Sequence, residues 1–418
     1  MARRWWIVVG LLAAASLLGH IGLPYVDTTG LQGSNVDRSA LSIGALGLIP
    51  LVTAAFLVEL ALLLRPGWRV RRGGRYDSLD RASVRRIVLG GALLVALVQA
   101  WFVYRYLESL SAGSWGFDVL SSNGSLVAAA VVASLLGGFV LTVLLGLLLE
   151  RHGLGSGVAL LLAAPLVTAL PSTLARLGRM WRSEQLTLPG ALLLLAALVA
   201  VALITRWMLG RGPQSPSFST LAADLPARPT AGLVPLVIAT TLLGLPVTLR
   251  NLGVSLPSGL LFAPGVRGYT EALILVTVLV GALLSALFSR RWSGDPTLRW
   301  RAIGESMIGL VALALIQQKL DLPVLLVAHA TATALDALDE AKARGQQGDL
   351  EPCWQWPSVA TLDGALRKLR AAGIVVHPRG ALVRRLYWVF GPHIPIDLLV
   401  PPRDVERAVA LLAASEAS

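Results

Sequence analysis

Apolar runs of about twenty residues recur along most of this chain. A helix of that length crosses the hydrocarbon core of a bilayer, so each run is a candidate membrane span. The composition agrees, because 55% of the residues are hydrophobic and 14% are charged, against about 25% charged in soluble domains. We therefore expect an all-α polytopic membrane protein over this part of the chain.

Hydropathy assigns ten spans, which place both termini on the same side of the membrane. Through the tenth span, the side that carries the termini collects 18 Lys and Arg residues and the other side collects 8. Eight of the 18 are arginines in the loop 65–86. The positive-inside rule then predicts cytoplasmic termini. The predicted spans are 5–26, 41–64, 84–106, 125–150, 157–177, 186–208, 232–252, 270–288, 300–318 and 322–338.

The chemistry changes after the tenth span. We divide the chain into a ten-helix domain at 1–345, a polar linker at 346–357 and a small domain at 358–418. "TLDGALRKLRAAG" predicts an amphipathic helix, "IVVHP", "RRLYWVF" and "PIDLLVPP" predict strands, and "RDVERAVALLAAS" predicts a final helix whose first turn suits Pro402. The pattern indicates a cytoplasmic α+β domain.

Three glycines at alternate positions, Gly153, Gly155 and Gly157, separate the fourth and fifth spans. Glycine permits positive φ angles and a close approach of two backbones. An ordinary interhelical turn explains one glycine, but not three at this spacing. We therefore expect a positioned turn rather than a loose loop.

No catalytic constellation supports an enzyme, since the sequence pairs no nucleophile with a base and holds no phosphate loop. No His or Cys set has metal-ligand spacing, so we expect no metal and no cofactor. A secondary transporter for small solutes remains an alternative, which the ten predicted spans also allow. Such a transporter should show paired charges or broken helices at mid-membrane, where this chain is aliphatic.

The segment His152-Gly153-Leu154-Gly155-Ser156-Gly157-Val158 resembles the cytoplasmic junction between helices four and five of the SecY family of protein-conducting channels. "SALSIGALGLIPLVTAAFLVEL" resembles that family's second helix, and "LPARPTAGLVPLVIATTLLGLPVTL" its seventh. The resemblance covers about 5–345. It implies two five-helix halves related by an inverted pseudo-repeat, with the pore between them.

The resemblance also implies a hydrophobic pore ring contributed by helices two, five, seven and ten. Aliphatic rings limit ion leak by dewetting. The three-glycine turn would let helix five start close to the pore axis. Matched to the family's motifs, the ring positions are Leu48, Val52, Val158, Leu162, Val237 and Val327.

Several features depart from the family. The segment 24–40 is short and polar where the family has a plug, so the plug is expected to be reduced. The loops at 210–230 and 289–301 are short where the family docks the ribosome or the SecA motor, which argues against such docking. The expected partners are a translocating polypeptide, small SecE- and SecG-like membrane subunits and the lipid bilayer, without nucleic acid.

These features predict a channel subunit of the bacterial inner membrane for polypeptide translocation or insertion. The alternative is a SecY paralogue without general secretion activity, acting as a specialised insertase, exporter or signalling scaffold. The stretches "LRKLRAAGIVVHPRG" and "IDLLVPPRDVERAVALL" resemble small prokaryotic signal-transducing α/β domains with a ferredoxin-like fold. That resemblance implies a fold but no ligand.

Overall fold

A computed structural model describes most of the chain, and the structural statements below concern that part. The described residues are 2–27, 41–64, 78–111, 119–120, 124–153, 155–183, 187–209, 232–251, 268–289, 296–320, 322–356, 359–387 and 396–417. Two compact units are formed. The first comprises Met1–Pro165 with Val389–Ile394, and the second comprises Leu166–Trp388 with Pro395–Ser418. We describe each unit by itself.

The first unit is built from α1 (Ala2–Leu18), α2 (Ile49–Leu64), α3 (Ser78–Ser111), α4 (Ser125–His152) and the start of α5 (Gly157–Arg182). Helix α4 packs against α1 and α3, and α3 packs against α2. On α3 the buried residues Val88, Ala92, Ala96 and Ala100 recur every four positions. Small side chains at that spacing allow membrane helices to approach closely.

The second unit contains the rest of α5, then α6 (Leu188–Leu209), α7 (Val234–Asn251), α8 (Tyr269–Ser289), α9 (Pro296–Leu320) and α10 (Val324–Gln347). Helix α8 packs between α7 and α9, and α6 packs against α9 and α10. Only 290–295 connect α8 to α9. The described chain thus places ten helices before its first strand.

Length and composition qualify three stretches of the described helices as membrane spans: Arg86–Glu108, Ser125–His152 and Leu188–Leu209. Four shorter helical stretches are also apolar: Arg4–Leu18, Ile49–Val58, Val234–Leu243 and Tyr269–Leu284. Helix α2 begins at Ile49, not at 41 as predicted. The backbone before Ile49 makes hydrogen bonds outside the helix: the Ile43 N–H donates to the Ile21 carbonyl, and the Gly44 N–H donates to the Leu18 carbonyl.

The C-terminal region forms a small α+β module, which we call the C-terminal module. Its elements are β1 (Glu351–Trp356), α11 (Val359–Ala371), β2 (His377–Arg379), α12 (Ala381–Leu386), β3 (Ile396–Val400), a 3-10 turn (Pro402–Asp404) and α13 (Val405–Ala417). The sheet has the order β1-β3-β2, and both pairs are antiparallel. Apolar side chains of α11, β3 and α13 form its core.

Two stretches near this module differ from the prediction. The segment 346–357 was predicted as a linker, but α10 runs to Gln347 and β1 occupies Glu351–Trp356. The prediction of a strand at "RRLYWVF" is wrong over its described part, where α12 is helical to Leu386. Distant residues explain both differences: β1 pairs with β3, and the first backbone N–H groups of α12 donate to the Asp336 carboxylate on α10.

Candidate functional site

The turn between α4 and α5 requires glycine at all three of its glycine positions, since a Cβ at Gly153 would lie 2.6 Å from the Leu149 carbonyl oxygen. Gly155 has a φ of +74°, a left-handed conformation that side chains disfavour. A Cβ at Gly157 would overlap the carbonyl oxygen of Gly146 and lie 2.6 Å from the backbone nitrogen of Glu150. Gly153 ends α4, and its N–H donates to the Leu149 carbonyl at 2.7 Å. The start of α5 is therefore held directly against α4.

In the first unit, the predicted ring positions lie at the starts of two helices. Leu48 precedes α2 and is buried, and its carbonyl accepts the N–H of Val52 at 3.0 Å. Val158 is buried in the first turn of α5, and Leu162 is half-buried one turn later. Residues four apart share one face of a helix, so Val158 and Leu162 are neighbours.

One face of α4 connects these two helix starts. Gly138 lies against the carbonyl of Ile43, in the segment that leads to Leu48. Gly146, eight residues later on the same face, lies beside the Val158 side chain. Eight residues of helix rise about 12 Å, which sets the axial separation of the two contacts along α4. Both ring segments of the first unit therefore pack on the same surface.

In the second unit, Val237 and Val327 occupy equivalent positions in α7 and α10. Each is the fourth residue of its helix. The N–H of Val237 donates to Leu233, and the N–H of Val327 donates to Pro323. Val237 is 37% exposed and Val327 is half-buried. Convergence of all six ring positions on one constriction stays a prediction.

Helix α10 buries a polar face that the sequence interpretation missed. Five polar residues along one side of α10 are almost completely buried: His329, Thr333, Asp336, Glu340 and Arg344. Their spacing of three or four residues is the signal that could have identified this face. The C-terminal module packs on α10 through β2 and α12.

Asp336 connects α10 to the C-terminal module. Its Oδ1 accepts the backbone N–H of Leu382 at 3.1 Å, and its Oδ2 accepts that of Val383 at 3.0 Å. These amides belong to the first turn of α12, where helix N–H groups lack intrahelical partners and a negative charge is favourable. Asp336 therefore caps a helix that begins 45 residues after it in the sequence.

Two further contacts fix α12 to the ends of α6 and α7. The Leu386 carbonyl accepts the N–H of Leu233 at 2.9 Å, and Arg385 Nη1 donates to the Leu209 carbonyl at 3.3 Å. Gly232 has a φ of +57°, and a Cβ there would overlap the Leu386 carbonyl oxygen. The end of α6, the start of α7 and α12 thus meet at one junction.

A second polar cluster lies where β2 meets α10. Arg344 Nε donates to Glu340 at 2.8 Å, and its Nη1 donates to the Leu350 carbonyl at 2.9 Å. His377 is buried beside this pair, and burial lowers its pKa to about 4 against the attraction of Glu340. His377 is therefore neutral at physiological pH. The cluster is a paired structural contact between α10 and the module.

Two other sequence predictions are limited by what the structure describes. Most of the proposed plug segment, 28–40, lies outside the described residues, as do 210–231 and 290–295. Over the part of the chain that is described, no group of three His, Cys, Asp or Glu side chains is arranged to hold a metal ion. Cys353 is a free thiol whose pKa is raised by burial to about 11.

The fold resembles solved protein-conducting channels. A structure described as a protein conducting channel aligns with a TM-score of 0.52 and 12% identity, covering 81% of this chain and 91% of that one. Sec61 in the canine ribosome-channel complex from the endoplasmic reticulum aligns with a TM-score of 0.54 and 13% identity over the same shares. At these identities the likeness establishes the fold alone.

Sequence comparison gives the family. The protein translocase subunit SecY of Helicobacter pylori is 26% identical over 191 residues, covering 42% of this chain and 44% of that protein. The Mycoplasma pneumoniae subunit is 24% identical over 278 residues, covering 59% and 57%. The chain spans about half the length of these relatives. The family model described as SecY matches residues 42–296, more than half of the chain, and the protein is therefore a divergent member of the SecY family.

Proposed function

We propose that this protein is the channel subunit of a machine that moves polypeptides across or into the bacterial inner membrane. The observation that carries the proposal is the placement of four aliphatic ring positions. The second, fifth, seventh and tenth helices are the ones from which the family resemblance implies a pore ring. Each of them has a proposed ring residue within its first four residues: Val52, Val158, Val237 and Val327. Family membership supports the same reading.

In this proposal, ten spans form two inverted five-helix halves with cytoplasmic termini. The plug is reduced, and the docking loops are short. A translocating polypeptide passes the aliphatic ring, which seals around it by excluding water. SecE- and SecG-like subunits cover lipid-facing helices, and the C-terminal module has a ferredoxin-like fold. No covalent chemistry is performed by the chain.

Photo-crosslinking tests whether the ring contacts polypeptide. A photoreactive amino acid replaces Val237 in the full-length protein, expressed with a secreted substrate arrested during transfer. The control position is Leu195 on α6, a 59% exposed leucine outside the proposed ring. Adducts with the substrate are expected at Val237 and not at Leu195. Equal labelling at the two positions, or none at Val237, would contradict the channel.

One observation favours the alternative of a specialised paralogue without general secretion activity. The C-terminal module occupies the junction of α6 and α7, at the base of the loop that the family resemblance associates with motor and ribosome docking. Gly232, Leu233 and Leu209 are all engaged there by α12. An exporter or insertase that needs no such motor would function with the C-terminal module at the junction of α6 and α7.

A further inference from the structure

The segment 41–48 leads into α2 and is tightly folded, although it is not an α-helix. Three backbone hydrogen bonds at its turns join residues that are three apart: the Ala45 N–H to Ser42, the Gly47 N–H to Gly44, and the Ile49 N–H to Leu46. Its side chains Leu41, Leu46 and Leu48 are each at most 5% exposed. Leu48 is also a proposed ring position. We call residues 41–48 the clasp, because both α1 and α4 hold them.

Backbone hydrogen bonds attach the clasp to the end of α1 and to the residues that follow it. Three bonds of 2.9–3.1 Å connect them: the Ile43 N–H to Ile21, the Gly44 N–H to Leu18, and the Leu23 N–H to Leu41. A Cβ at Gly44 would lie 2.9 Å from the backbone of Leu18, which is too close for a real side chain. The two backbones are therefore in direct contact.

Helix α4 contacts the clasp at Gly138. This glycine is buried in the middle of α4, and a Cβ on it would overlap the carbonyl oxygen of Ile43. Glycine is a poor residue for a helix interior, so its place here is explained by the space that it leaves for that carbonyl. The Thr142 hydroxyl donates to the Gly138 carbonyl at 2.8 Å, which adds a hydrogen bond to this turn of α4. Gly137, by contrast, is exposed, and a Cβ on it would meet nothing within 4 Å.

These contacts fix the clasp on α1 and on α4, two helices that also pack against each other. The clasp residues are all buried or half-buried, and hydrogen bonds in such surroundings open rarely. Leu48 follows Ile43 by five residues, and the Val52 N–H donates to the Leu48 carbonyl at 3.0 Å. The position of the clasp on α4 therefore sets the positions of Leu48 and of the first turn of α2.

We propose that Gly138 is a positioning residue of the pore ring, which fixes the clasp by admitting the Ile43 carbonyl and thereby holds Leu48 in the constriction. The inference rests on the proposed function, because it takes Leu48 as a ring residue. An aliphatic constriction excludes ions only while its side chains lie close enough together to keep water out. In a channel with a reduced plug, this seal depends on the ring itself. The clasp is then a fixed support for one side of the ring.

The test measures the resting ion conductance of the full-length protein in planar lipid bilayers, without cargo. Gly138→Ala should raise this conductance severalfold, since a displaced clasp moves Leu48 and admits water to the constriction. In the same variant, amide hydrogen exchange at Ile43 and Gly44 should become about tenfold faster, which corresponds to a loss of about 1.4 kcal/mol of local stability. The matched control is Gly137→Ala, which adds the same methyl group where α4 has space for it. The control should keep the wild-type conductance and exchange rates.

Two further variants separate this inference from the proposed function. Leu48→Asn tests the ring directly and should raise the conductance. Gly44→Ala displaces the clasp from the α1 side and should act as Gly138→Ala does, so it replaces that variant if Gly138→Ala does not fold. A leak in Leu48→Asn with wild-type conductance in the glycine variant, even with faster exchange, would overturn the inference and leave the channel standing. Wild-type conductance in Leu48→Asn would remove Leu48 from the ring, and the inference would fall together with that part of the proposed function.

Discussion

Asp336 shows how one side chain can decide the structure of a distant segment. The stretch "RRLYWVF" has the β-branched and aromatic character of a strand, and its sequence alone predicts one. The carboxylate of Asp336 instead accepts the two amides that start α12. Local propensity could not reveal this, because the deciding group lies 45 residues upstream. Tertiary contacts of this kind commonly override weak propensities.

Replacing Asp336 should loosen the C-terminal module. We expect Asp336→Asn to lower the free energy of unfolding by about 1.5–3 kcal/mol, the usual range for a hydrogen bond to a charged group. Asparagine has one acceptor oxygen where the carboxylate has two, so it can accept only one of the two amide hydrogen bonds. Hydrogen exchange at the Leu382 and Val383 amides should accelerate, and the unfolding midpoint should fall. The control is Asp404→Asn on the exposed 3-10 turn. Exchange at α12 that stays as slow as in the wild type would contradict the assigned role.

At the scale of whole elements, apolar periodicity predicted the helices well and their ends less well. Helix α5 begins at the predicted residue and α4 ends two residues after the predicted one, because the glycine-rich turn marks the boundary between them. Helix α2 begins eight residues late, since the segment before it is bonded to the end of α1. Helix α10 extends nine residues beyond the predicted span. Its polar face is covered by the module, which hydropathy does not detect.

The glycine turn gives a prediction at this scale. Gly157→Ala places a Cβ on the Gly146 carbonyl, so α5 must move away from α4. We expect the free energy of unfolding to fall by about 1–3 kcal/mol, the usual range for an overpacked site. The matched control is Gly178→Ala in the same helix, where a Cβ meets nothing within 4 Å. Tryptophan fluorescence during thermal unfolding in detergent measures both variants. Equal midpoints for the two would show that the α4–α5 contact adapts freely.

For the whole molecule, family motifs predicted more than periodicity did. Three short motifs in the right order identified the SecY family, and the family match over residues 42–296 agrees with them. The location of the C-terminal module was not predictable, because its anchors Asp336, Arg385 and Leu386 belong to separate segments. The segment 346–357, which was predicted to be a polar linker, contains the end of α10 and the paired strand β1.

The occupied junction gives a prediction for the intact protein. We expect that the full chain will not restore general secretion in cells depleted of their own SecY. The segments 210–230 and 289–301, which the proposed function takes as docking loops, are short in sequence. Helix α12 bonds to Leu209 and Leu233, on either side of the first segment. Export of a standard preprotein is followed with wild-type SecY as the positive control. Robust export with this chain alone would refute the prediction, whereas export only in Asp336→Asn would indicate that the module blocks docking.

The bonds made by α12 also have a mechanical consequence. A single short helix holds Leu233, four residues before Val237, and Asp336, nine residues after Val327. Displacing the module would therefore strain α7 and α10 together, the two helices of this unit that carry proposed ring positions. By thermodynamic reciprocity, a ligand that favours the displaced module must bind more tightly when those helices are already shifted. A cargo that spreads the helices would in turn raise the affinity of the module for such a ligand.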